Sequence, residues 1–195
     1  IGKNVFVSPV SVSMALGMTL NGANGATRDS MARTLEFAGL SQNDINTSYK
    51  SLITLLTGLD PNVTFQIANS IWYRLELNVV QEFKDVNKEY FNAEITSLDF
   101  GDPAAPGIIN GWVDRNTNGR IKEIIQPPIP WDMMMYLINA IYFKASWTYR
   151  FDEDLTRDDS FELPSGTKKP CRMMVQKATF QYFQNSEPVS YTHLR

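Results

Sequence analysis

A thiolate paired with an imidazole is the first chemistry to look for, and the chain holds one residue of each kind, Cys171 and His193. A cysteine nucleophile needs an adjacent base and a third group that orients the base. The flanks of Cys171 and His193 supply no such group, so Cys171 reads as an ordinary small side chain, buried or half-exposed. A metal centre takes several His or Cys ligands at fixed spacing, so neither a metal site nor a cofactor is expected. Asp152, Glu153, Asp154, Asp158 and Asp159 form an acidic stretch that could draw Ca²⁺. They lack the alternating spacing and turn glycine of a calcium loop, and a solvated loop is the simpler reading. Gly22-Ala23-Asn24-Gly25 follows a helical segment, whereas a phosphate-cradling loop follows a strand. Trp72, Trp112, Trp131 and Trp147 suit a core better than a ligand platform. Asn46-Thr47-Ser48 and Asn62-Val63-Thr64 fit the acceptor pattern for N-linked glycans, a pattern short enough to recur by chance. The residues describe a scaffold without a catalytic site.

Composition agrees. With 195 residues, 43% hydrophobic and 20% charged, one large domain with a sizeable core is expected. A net charge of -3 without a basic run does not favour nucleic acid as a partner. No stretch is long and apolar enough to span a bilayer as a helix, so no membrane partner is expected. A lone cysteine excludes an internal disulfide.

The elements are organised around Met133–Trp147. Read at period two, both of its faces are apolar, which predicts a strand covered above and below in the centre of a sheet. Asn139 is the exception. A buried carboxamide costs free energy unless it is hydrogen-bonded, so a polar partner is expected beneath the sheet.

Upstream, Ser8-Pro9 predicts a helix start, with a side-chain acceptor at the N-cap and Pro where no N–H is needed. That helix runs to about Leu20, carries no charge, and should therefore be buried; Ser11, Ala15 and Thr19 form a small-residue stripe that permits close approach to another element. Thr27 is expected to cap a second helix with Met31 and Leu35 on one face. Ser41 and Asp44 resemble a capping box before a third, with Ile45, Tyr49, Leu52, Ile53 and Leu56 on one side and Gly58 at its end. Val63 to Tyr73 alternates as a strand, Val79 to Tyr90 returns to helical spacing, and Ala93 to Phe100 predicts a short strand. Pro106 opens a helix that Asn118-Gly119 closes. After Trp147, strands are expected around Phe161–Leu163 and through Met173–Phe183, joined by a turn at Pro164-Ser165-Gly166. Helices first, then strands interleaved with helices, predict an α+β fold with a large mixed sheet.

Four segments carry a resemblance to the serpin family: Asn4–Leu35 resembles its helix B and helix C signature, Ala68-Asn69-Ser70-Ile71-Trp72 its strand 2A, WVDRNTNGRIKEII (Trp112–Ile125) its helix F and exit, and LINAIYFKASW (Leu137–Trp147) its strand 3A. Their order and spacing match too. The resemblance implies a serpin-like fold over residues 1–186, with helices B to F and strands 2A, 1A, 3A and those following under a large mixed sheet, incomplete toward the C-terminus. It implies that Ser8, Ser11 and Asn139 form the shutter beneath the sheet, with the helix hydroxyls partnering Asn139. Trp147 matches the breach, and Thr117 and Gly119 match the helix F exit.

The resemblance further implies an inhibitor rather than an enzyme. Its partner is a serine or, in some members, a cysteine protease, trapped when a cleaved loop inserts beside Met133–Trp147. Non-inhibitory members of the same frame act as carriers, chaperones or storage proteins. The loop itself, with its scissile bond, is not among the matching segments. The chain is therefore expected to be an N-terminal fragment, inactive alone and prone to self-associate, with residues 187–195 a foreign tail. The family points to an extracellular protein, with intracellular members also known.

Overall fold

In the computed structural model, which describes residues 7–147, 149–177 and 179, the chain falls into two units. The larger comprises Val7–Leu59 and Thr64–Phe143; the smaller takes in Asp60–Val63 and the described residues from Lys144 onward.

In the larger unit the first helix, α1 (Pro9–Leu20), starts where Ser8-Pro9 predicts, with the Ser8 hydroxyl accepting from the Ser11 N–H. Met14, Gly17, Met18 and Leu20 face inward. The expectation of a wholly buried helix is corrected: Val12 is 53% and Leu16 37% exposed, so one apolar face stands open. The second helix, α2 (Gly25–Thr34), is capped by Asn24 and not by Thr27, because the Asn24 Oδ1 accepts the Gly25 N–H at 2.7 Å. In α3 (Gln42–Thr57) the Ser41 hydroxyl accepts the Asp44 N–H at 3.1 Å and donates to the Asp44 carboxylate at 2.6 Å. Helices α4 (Gln81–Phe91) and α5 (Ala105–Asn116) follow as the spacing predicts.

Three strands form a sheet in the order β2-β1-β3, where β1 is Thr64–Arg74, β2 Ala93–Leu98 and β3 Met135–Lys144. β1 and β2 are parallel, from Asn69 opposite Ala93 to Arg74 opposite Leu98. β3 runs the other way: the Arg74 N–H bonds the Met134 carbonyl, Asn69 meets Asn139, and Phe65 meets Phe143. The sheet is mixed, as expected. Its centre is not. Among the described residues β3 pairs on one side only, so β1 is the central strand and β3 an edge. β3 also begins two residues later than the apolar run, because the Met133 N–H is used in a turn with the Pro130 carbonyl.

Period-two alternation divides the core between the two sheet faces. Ile71 and Ala93 pack with Met14, Met18, Tyr49, Ile53 and Phe91 of α1, α3 and α4, and Met135 and Leu137 lie against that cluster. Trp72 and Ala140 pack with Ile109, Trp112 and Val113 of α5, alongside Tyr136 and Ile138. Helices therefore cover both faces.

The smaller unit contains a hairpin of β4 (Arg157–Glu162) and β5 (Lys168–Met173), turned at Gly166, whose φ is 78°. The strand expected through Met173–Phe183 is corrected: pairing of Arg157 with Met173 ends the ladder there, and 174–177 form no strand. Residues from 180 on, with His193 and the segment 187–195, lie outside the described residues.

Candidate functional site

Asn139 lies on the β3 face turned toward α1, and its amide nitrogen donates to the Asn69 Oδ1 at 2.8 Å and touches the Met14 sulfur at 3.5 Å. Asn69, on the central strand and buried, donates in turn to the Phe91 carbonyl at 2.7 Å, the last residue of α4. Asn139 thus has a polar partner, but it is a second carboxamide on the neighbouring strand and not a group beneath the sheet. Ser8 and Ser11 bond to each other, hydroxyl to hydroxyl at 3.0 Å, and the hydrogen bonds of Asn139 go to Asn69 and Met14 instead. Asn139 itself is half-buried, while its Oδ1 is enclosed without a partner. The Ser8 hydroxyl accepts from both the Ser11 N–H and the Ser11 hydroxyl, so the pair serves the start of α1.

Thr117 and Gly119 come together at the end of α5. The Thr117 hydroxyl, buried, donates to the Val113 carbonyl at 2.8 Å and accepts the Ile121 N–H at 3.0 Å. Asn118 and Gly119 take left-handed φ values of 50° and 74°, and the Gly119 N–H closes back on the Asp114 carbonyl. Asn110 then holds the departing chain, its Oδ1 accepting from Ile124 and Ile125 and its Nδ2 donating to the Ile125 carbonyl. The Trp112 indole N–H reaches the Glu94 carboxylate at 2.8 Å and ties α5 to β2. Trp147 lies in the smaller unit, half-buried, edge-on to Phe151 at 5.4 Å.

Sequence reasoning missed a carboxamide chain on the larger unit. Asn21 donates to Asn87 at 3.1 Å, Gln42 donates to Asn21 at 2.7 Å, and Arg28 donates to Gln42 at 3.3 Å, joining α4, α1, α3 and α2. Asn87 on an otherwise apolar helical face was the available signal. Asn21 and Gln42 line a cavity of about 900 Å³ together with Phe83, Met135 and Leu137, with Glu82 among its walls. The tryptophans divide. Trp72 and Trp112 are core, but Trp131 is 87% exposed, with its backbone carbonyl accepting from Arg74 at 2.8 Å. Among the described residues no cluster of His, Cys, Asp or Glu could hold a metal, and no helix is long and apolar enough to cross a membrane. The acidic stretch serves a 3₁₀ turn at Glu153–Leu155 and exposed ion pairs of Asp158 with Arg172 and Asp159 with Arg157.

This geometry positions backbone segments. The family model "Serpin (serine protease inhibitor)" matches residues 1–195. Serpin B9 of Homo sapiens is 35% identical over 91% of this chain and 48% of its own length. Corticosteroid-binding globulin of Pongo abelii is 32% identical over 95% of this chain and 46% of its own. The crystal structure of cleaved kallistatin complexed with heparin superposes with a TM-score of 0.83 at 26% identity, covering 90% of this chain and 52% of that one. The chain spans about half the length of the curated relatives it matches.

Proposed function

The chain belongs to the serpin family, whose members inhibit or bind and do not catalyse, and from that premise we propose that the whole protein traps serine proteases as a suicide inhibitor. A protease attacks an exposed loop and is held as the acyl-enzyme while the cleaved loop enters the sheet as a new strand beside β3. What supports this reading is the family match over residues 1–195 together with β3, an apolar strand that carries the LINAIYFKASW segment and lies beside β1 in the sheet. Strand addition works through main-chain hydrogen bonds along such a strand. In this reading the Asn139–Asn69 pair, with Ser8 and Ser11 nearby in the family scheme, forms the shutter that holds β3 against β1. Trp147 belongs to the breach, and Thr117 and Gly119 to the helix F exit. We place the protein outside the cell.

A carrier is the second reading, favoured by the 32% identity to a corticosteroid-binding globulin. One assay separates them. The product of the complete reading frame is incubated with trypsin-like and chymotrypsin-like proteases and run on a denaturing gel. A covalent complex at the summed mass less the peptide released C-terminal to the scissile bond is expected; cleavage without a complex, together with saturable steroid binding, supports the carrier and sinks the inhibitor.

A further inference from the structure

We infer that Asn62 is an N-glycan acceptor site and that Asn46, the other matching triplet, is not. The two triplets are equivalent as patterns, and the fold distinguishes them. Asn46 is 4% exposed within α3, on the face that also buries Ile45 and Tyr49, and its Oδ1 accepts from Gln42. A glycan on the Asn46 nitrogen has no path to solvent unless α3 leaves the core, so a folded chain cannot carry one there. Asn62 is exposed in a turn closed by the Val63 N–H on the Asp60 carbonyl at 3.0 Å. The Asp60 carboxylate accepts from the Asn62 backbone N–H at 2.8 Å and from its Nδ2 at 3.1 Å. This Asx-type arrangement holds the carboxamide at the surface. Thr64, the hydroxyl residue of the triplet, is exposed as well, at the first position of β1.

The transfer needs a lipid-linked oligosaccharide diphosphate and the transferase of the secretory lumen. The Asn62 Nδ2 attacks the anomeric carbon, forming a C–N bond as the C–O bond to the diphosphate breaks. The lipid diphosphate leaves with the electron pair, and the Nδ2 proton passes to a base of the transferase. Nothing is oxidised or reduced. Acceptor competence belongs to this chain and does not depend on the inhibitory reading.

The test translates the chain behind a cleavable secretion signal in the presence of microsomes and analyses the soluble, protease-protected product. Glycan-releasing amidase in ¹⁸O water converts a modified Asn to labelled Asp, so the site is read by mass. We expect one glycan, label at 62 and none at 46. Asn62→Gln and Thr64→Ala each abolish the gel shift, while Asn46→Gln and Thr64→Ser retain it. An unshifted lumenal product, a shift that survives Asn62→Gln, or label at 46 in soluble material overturns the inference.

Discussion

Beside the backbone pairing of β3 with β1, a side-chain hydrogen bond joins two carboxamides across the strands, and the second amide passes the connection on to the end of α4. Removing Asn139 leaves the buried Asn69 Oδ1 without its donor, an unsatisfied group that costs about 1–3 kcal/mol. A double-mutant cycle of Asn139→Ala with Asn69→Ala should therefore return a coupling of about 0.5–3 kcal/mol, the range for directly bonded residues. The same cycle with Ser11→Ala should return almost none. Strong coupling to Ser11 would restore the serine partnership that the resemblance implies. Tyr49 sets a second residue-scale test. Burial raises its pKa above the ordinary 10.0, and the side-chain hydrogen bond with Ser13 offsets part of that rise. The fold thus favours the neutral phenol. Its contribution is complete below pH 10.0 and is lost as pH rises toward and through the raised value. Urea midpoints should hold steady through neutral pH and fall above 10, and Tyr49→Phe should flatten part of that fall. A midpoint that rises with alkaline pH would contradict it. Legibility at this scale follows distance along the chain. The Ser8 and Ser41 caps were readable because each bonds a residue three positions away. The need for a partner at Asn139 was readable from desolvation alone, but Asn69, 70 positions away, was not.

Helix α1 packs closely on α3 at Gly17, where an added Cβ would stand 2.6 Å from Cε2 of Tyr49. The ring cannot easily retreat: Phe37 and Phe91 pack against it, and its hydroxyl is bonded to Ser13. Gly17→Ala gains about 1 kcal/mol in helix propensity. Forcing a methyl into a packed core costs about 1–3 kcal/mol. The crowding should win. We expect a lower urea midpoint for Gly17→Ala and partial recovery on adding Tyr49→Leu; a raised midpoint for the single variant would show that α1 shifts freely. The sequence pointed to the small-residue stripe Ser11, Ala15 and Thr19 for close approach, whereas the ring seats on the row of Ser13 and Gly17. Helical periodicity fixes which residues share a face. Which face meets a given aromatic depends on the neighbouring helix, and no local pattern encodes that. Helix ends were more legible, since Asn118-Gly119 supplies the left-handed φ values that close α5.

For the larger unit, the strand order β2-β1-β3 explains both what the sequence revealed and what it concealed. Apolar residues on both faces of β3 report layers above and below it, and both layers are there, with α1, α3 and α4 on one side and α5 on the other. The pattern carries no information about pairing to left and right, and that is where the central placement failed. The consequence is an apolar strand with one side of its ladder open, next to Met134, which is 46% exposed. On α1 the open face of Val12 and Leu16 adds uncovered apolar surface. Backbone groups facing water form adequate hydrogen bonds, so the edge alone does not unfold the unit. Pairing with a second chain, however, satisfies the same groups and also removes apolar area from water, at about 25 cal/mol per Å². An exposed, apolar edge strand is for that reason an association site. The chain should therefore show a scattering mass that climbs with concentration, and Met134→Lys, which places a charge beside the edge while leaving the Met134 carbonyl bonded to Arg74, should shift the rise to higher concentration. A monomeric mass across the whole concentration range would remove the self-association assigned to this chain.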